Sequence, residues 1–329
     1  MTTFSGGYFT PDYFFRKENE KKSLRKAGSL CGLALLGYVL IQNILALGIQ
    51  AAGLWDKYTT DNFFQSGADI FLTFAGVLLP FMLINKLMKK HTGAGETLVF
   101  DRKVGKGTFL FAVVTGVGLC MEANLISSVF ITFMNGLGFT LTSPEVPMPE
   151  GIQGMLLSFV RVVVVAAMAE ELSLRGYVMG NLKKYGDSFA IGASAVLFAI
   201  MHGNLIQSPF ALIAGFGIGY FTVKTGTLWT GILIHGLNNF ISLALSYIME
   251  ISGEETGALI TALCIYILGT AGIVGTVIFV IRSRKNPLSD GDSVLSLGEK
   301  ISGFFFNIPM IVAFLLMLYI TSNYITFGR

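Results

Sequence analysis

Six residues near the middle of the chain are of types that together could hydrolyse a bond with water as the nucleophile. They are Glu170, Glu171, Arg175, His202, His235 and Asn239. Glu171 and Arg175 stand at i and i+4, so on a helix they share a face and can pair. Such a pair satisfies the guanidinium and keeps Glu171 ionised. Glu170 lies about 100° further round the helix and is free of that bridge. A carboxylate taken out of water beside a second one is tuned toward general-base chemistry near neutrality. His235 and Asn239 are again i, i+4, which puts two N–H donors on one face as an oxyanion clamp would need. Asn238 points elsewhere on that helix and is the weaker candidate.

These groups sit in a setting where charge is expensive. The chain of 329 residues is 53% hydrophobic and 13% charged, with 39 Gly and 28 Phe, and its mean hydropathy is +0.67. Disorder and nucleic-acid binding, which need many charges or dense basic patches, are excluded. The composition is that of a polytopic membrane protein, in which Gly allows close helix packing. The predicted fold class is all-α: a transmembrane bundle of about nine spans. The apolar runs cover roughly 28–54, 66–88, 107–136, 152–182, 188–203, 206–223, 226–248, 257–281 and 302–325. The fifth and sixth are short.

Basic residues test the count, because they concentrate on the cytoplasmic side. Nineteen of the 23 Lys and Arg residues fall in the N-terminal segment and in the second, fourth, sixth and eighth connections. The opposite side holds Lys57 and Arg329, and Arg161 and Arg175 fall inside the fourth run. The N-terminus is therefore expected in the cytoplasm, and a wrong span count should scramble the partition. The expected units are a basic N-terminal segment 1–27, helices 28–149, a catalytic core 150–248 and helices 249–329. Arg161 is expected to reach back to the outer interface.

Depth then brings the candidates together. Glu170 is 13 residues from Lys183, His202 is 15 from Asp187 and His235 is 11 from Lys224. On straight helices these are roughly 20, 22 and 17 Å from the basic end. One acid and two imidazoles from three helices thus converge on one level inside the membrane, where ionisable residues are functional candidates by default.

Three motifs in order, Glu170-Glu171-x-x-x-Arg175, Phe198-x-x-x-His202 and His235-x-x-x-Asn239, resemble those of the CPBP family of CAAX proteases and bacteriocin-processing enzymes. The resemblance covers about residues 150–245, under a third of the chain. It implies an intramembrane glutamate endopeptidase without a covalent intermediate. In it Glu170 activates water, His202 helps position it, His235 and Asn239 stabilise the oxyanion, and Glu171 and Arg175 support them. The family's aromatic before the arginine is Leu174 here, which should affect packing rather than chemistry. The implied partners are the bilayer and a membrane-associated or prenylated peptide or protein entering from the cytoplasmic side. The implied place is a bacterial cell membrane. Nothing in the chain reads a prenyl group or specifies an oligomeric state.

Other readings remain open at this level. Glu170, His202 and His235 could instead bind zinc with an open position for water. The absence of H-E-x-x-H and the charge of Arg175 favour a mechanism with no cofactor. The same cavity could serve a non-catalytic immunity or scaffold protein that binds a peptide, or a proton-coupled transporter, though no repeat is evident. Glu171–Arg175 could be a structural pair, His202 could cap a helix end beside Gly203-Asn204, and Phe198 is expected to pack. Glu122 is expected to bond a neighbouring helix, and Ser173 lacks a nucleophile elbow. Gly215 and Gly219 form a small-xxx-small face for close helix approach. Cys31, Cys120 and Cys264 lie in apolar runs, are odd in number and suggest no disulfide or thiolate site.

Overall fold

The computed structural model describes residues 11–92, 100, 104–144 and 148–328, with the side chains of His91 and Thr92 excepted. Of the basic residues assigned to loops above, Arg102, Lys103 and Arg329 lie outside the described residues. In hydrocarbon every backbone N–H and C=O must be satisfied within the segment, so the apolar runs fold as helices. The first is α1 (Pro11–Ala51), followed by α2 (Trp55–Thr60), α3 (Asn62–Lys90), α4 (Lys106–Gly136) and α5 (Gly151–Tyr185). Then come α6 (Asp187–Met201), α7 (Ser208–Thr225), α8 (Leu228–Ser252) and α9 (Glu254–Lys285). The chain closes with α10 (Leu297–Phe305) and α11 (Ile308–Ser322), bent by 71° to one another. The described part of the basic N-terminal segment, from Pro11, is the first half of α1, which runs unbroken into the apolar half.

By length and composition six described helices can cross a membrane, or seven if the bent pair is one span. Nine was expected. The two that fall short are α6, with 15 residues, and α7, with 18. They measure about 22 and 27 Å at the helical rise, against a hydrocarbon core of about 30 Å. Both helices are apolar because they are buried in the protein, and periodicity cannot separate that cause from burial in lipid. Counting such a pair or leaving it out changes the number of crossings by two and moves no other loop across the membrane.

Glycine sets the packing distance between helices. A Cβ on Gly118 of α4 would lie 2.5 Å from the Gly272 Cα of α9. Gly215 and Gly219 of α7 come within 3.1 Å, at a Cβ, of Ala195 and Ile191 on α6, as the small-xxx-small spacing requires. Gly217, between them, faces Leu119 of α4.

The two ends of the bundle differ. At one end Glu299 pairs with Lys17 at 3.0 Å and Lys21 at 2.9 Å. There too the Tyr185 hydroxyl meets Ser23 at 3.0 Å, Ser289 N–H donates to Asp187 at 2.8 Å, and Lys224 donates to the Asn286 carbonyl. At the other end β1 (Phe139–Leu141) pairs antiparallel with β2 (Ile325–Phe327), Thr140 opposite Thr326. The connections rich in Lys and Arg therefore gather at one end, which we call the basic end.

Candidate active site

Helix α5 is not uniform. One α-helical turn, Ala167–Glu171, is flanked by π-helical stretches over Phe159–Ala166 and Leu172–Met179. Wide π turns inside helices gather at functional sites, and the α turn between these two carries both glutamates. Glu171 is fully buried and its Oε1 accepts from Arg175 Nη1 at 2.9 Å and His235 Nδ1 at 3.0 Å. Arg175, also fully buried, donates through Nη2 to the Gly215 carbonyl of α7 at 3.1 Å. Its guanidinium lies 4.7 Å over the Phe198 ring. Buried charges persist only when paired and hydrogen-bonded, and here the pair within α5 is completed by His235 of α8 and the Gly215 carbonyl of α7. Two glycines make the room. A Cβ on Gly231 would sit 2.9 Å from Glu171 Oε2, and one on Gly215 would sit 3.3 Å from Arg175 Nη2.

Glu170 faces a cavity of about 720 Å³ whose wall also includes His202, His235, Asn238 and Asn239. His235 Nε2 stands 3.8 Å from Glu170 Oε2, outside direct hydrogen-bond range. The imidazole thus spans the two carboxylates, bonded to one and close to the other. His202 follows the last residue of α6. Its Nδ1–H donates to the Phe198 carbonyl at 2.8 Å, one of the acceptors a helix end leaves open. Gly203, at φ 63°, then turns the chain, and Asn204 Oδ1 accepts from Gln207 N–H at 2.9 Å. His202 therefore caps a helix and lines the cavity at once. Fixing Nδ1–H leaves Nε2 as its free nitrogen. The Phe198 ring meets His202 edge-on at 4.8 Å and His235 at 5.6 Å.

Asn239 donates through Nδ2 to the Val162 carbonyl at 2.9 Å, in the first π stretch, and accepts from Asn238 Nδ2 at 3.3 Å. These two bonds fix the amide's orientation and leave one N–H of Nδ2 to spare. Asn238, set aside on angular grounds, lines the same cavity, is 3% exposed and has no partner for Oδ1. The 100° rule fails here because the cavity wall covers more than one face of α8.

Other expectations resolve individually. Arg161 does not reach out to the interface. It is buried and pairs with Asp69 of α3 at 2.9 Å, and Asp69 also accepts from the Tyr58 hydroxyl at 2.8 Å. The missed signal was Asp69, a carboxylate inside the second apolar run. Glu122 packs against Gly269 of α9 and does not line the cavity. Ser173 is buried, with its hydroxyl toward the Val77 carbonyl at 3.4 Å. Cys31 and Cys120 are buried free thiols, and Cys264 is a half-buried one. Among the described residues no group of three His, Cys, Asp or Glu side chains is placed to hold a metal ion, so the zinc set Glu170, His202 and His235 gains no support.

Residues 152–241 match the family model described as type II CAAX prenyl endopeptidase Rce1-like, a family of membrane peptidases. The matched stretch contains all six residues singled out above. No curated protein and no solved structure matches the chain.

Proposed function

We propose that this protein is an intramembrane endopeptidase that hydrolyses a peptide bond with water activated by Glu170. The observation that carries this reading is the relay Arg175–Glu171–His235–Glu170, closed by two contacts at 2.9 and 3.0 Å and one at 3.8 Å. Arg175 holds Glu171 as a carboxylate. Glu171 takes the Nδ1–H of His235 and so fixes the ring, the role of the orienting acid behind a catalytic histidine. Glu170, without such an anchor, takes the proton of the attacking water. The free Nε2 of His202 lies on the same wall and accepts a hydrogen bond from that water.

The developing oxyanion needs donors. The spare N–H of Asn239 is one. His235 supplies a second only as an imidazolium, because its Nδ1–H is already committed to Glu171. As the tetrahedral intermediate collapses, Glu170 passes its proton to the nitrogen of the breaking C–N bond, which leaves as the amine.

The topology that accompanies this reading places the basic end, with the N-terminus, in the cytoplasm of a bacterial cell. Residues 150–248 form the catalytic core. The α6–α7 pair is a hairpin that enters from the basic end, so seven crossings replace nine without altering the sidedness.

A quenched peptide library cleaved by the detergent-purified protein tests the proposal. Cleavage should vanish in Glu170→Ala and in His235→Ala and survive EDTA. Equal cleavage by all three proteins would overturn it. Loss of wild-type activity with EDTA, restored by zinc, would move the same residues into a metal site.

A further inference from the structure

The cavity does not lead to the basic end. Toward that end the interior is filled by Leu24, Met179, Leu182, Tyr185 and Leu228, each no more than 2% exposed. Helices α4 and α8 both start near the basic end, after Lys106 and Lys224 respectively. The cavity wall follows them away from it. On α8 it passes His235, Asn239, Ser242 and Ser246, and on α4 it passes Asn124, Ser128 and Ile131. Spacings of three and four keep each set on one helix face. Pro144 and Met148, in the connection between α4 and α5 at the far end, complete the rim. Exposure follows the same direction: His235 and Asn238 are buried, whereas Ser242, Ser246 and Pro144 are exposed.

A second cavity of about 520 Å³ shares Asn124, Ser128, Ser242 and Ser246 with the first and reaches Glu250 and Glu254. Both glutamates are exposed. Glu150, just before α5, and Glu255, in the first turn of α9, lie at this end as well, whereas most of the chain's cations stand at the basic end. The mouth is therefore acidic, and the polar track below it leads to Glu170. Asn238 itself is buried beside Asn239, to which it donates.

We propose that the substrate is a cationic peptide segment that enters from the end opposite the basic one, past Glu250 and Glu254, and lies along the serine and asparagine track to Glu170. This rests on the peptidase reading for the chemistry and on the proposed sidedness for the compartment, which is the outer face of the membrane. It reverses the cytoplasmic entry expected from sequence. The acidic mouth steers the cationic segment, and the track supplies hydrogen bonds to its backbone.

The test is independent of cleavage. Ser246→Cys is made in a chain whose three cysteines are replaced, and a membrane-impermeant maleimide is added to right-side-out and inside-out vesicles. Lys57→Cys and Lys300→Cys report orientation. Ser246→Cys should label with Lys57→Cys and not with Lys300→Cys. A Lys-rich synthetic peptide at low ionic strength should slow that labelling about tenfold, and a Glu-rich peptide of equal length should not. Glu250→Gln with Glu254→Gln should abolish the protection. Labelling from the basic side overturns the route. Equal protection by both peptides, or protection that survives the double substitution, overturns the substrate class. None of these outcomes depends on whether the protein hydrolyses anything.

Discussion

Glu171 links Arg175 to His235. It is fully buried and accepts from Arg175 and from His235 through one oxygen. Removing its cation strands a charge in a dry interior, which typically costs about 3–5 kcal/mol. Arg175→Met should therefore lower thermal stability sharply in a detergent melt. The double replacement Glu171→Leu with Arg175→Met should recover most of that loss while leaving the protein inactive. Asn239→Ala should lower kcat by about 10²- to 10³-fold, the usual effect of losing an oxyanion donor. Asn238→Ala should lower kcat by only about tenfold at unchanged KM, because it acts through one hydrogen bond to Asn239. Steady-state kinetics on one cleaved peptide separate the two. Sequence spacing exposed Glu171–Arg175 because both partners lie on one helix. It missed Glu171–His235 and Arg161–Asp69 because those bonds cross between helices, and no spacing rule counts across a loop.

At the scale of elements, two contacts carry clear expectations. Gly118→Val places a branched side chain where α9 brings its backbone within 2.5 Å of a Cβ. It should part α4 from α9 and cost about 1–3 kcal/mol, read as a lower melting temperature. The second contact is α1 against α10. Ser296 and Glu299 form a capping box, and Glu299 also binds Lys21 and Lys17. Its carboxyl is held down to about 2 from 4.5, chiefly by Lys21, then by the Ser296 backbone and by Lys17. A depressed carboxylate stabilises the fold above its unfolded pKa and loses that contribution as pH falls toward its folded one. The melting temperature of wild type should thus exceed that of Glu299→Gln at neutral pH, and the gap should close between about pH 5 and 2. A gap independent of pH would contradict it. Helices of 25 residues and more were legible as apolar runs. The π turns around Glu170 were not, since they answer to packing and leave no composition mark.

For the whole molecule, the charge partition was the strongest signal in the sequence, and it is insensitive to a buried hairpin. Whether or not α6 and α7 cross, the sidedness it assigns is the same. The direction in which the cavity opens had no trace in the sequence. It depends on which side of Glu170 is packed with Leu182 and Tyr185 and which is walled by Ser242 and Ser246. The central claim is that Glu170 activates water within a site assembled from several helices. Glu170→Gln keeps the shape of the side chain and removes the base. The measurement is the single-turnover cleavage rate of a peptide that wild type cuts, made alongside that peptide's affinity for both proteins. The expected result is affinity within a few-fold and a rate lower by about 10²- to 10⁴-fold, the span of general-base catalysis. A Glu170→Gln protein that cuts at the wild-type rate would contradict the claim.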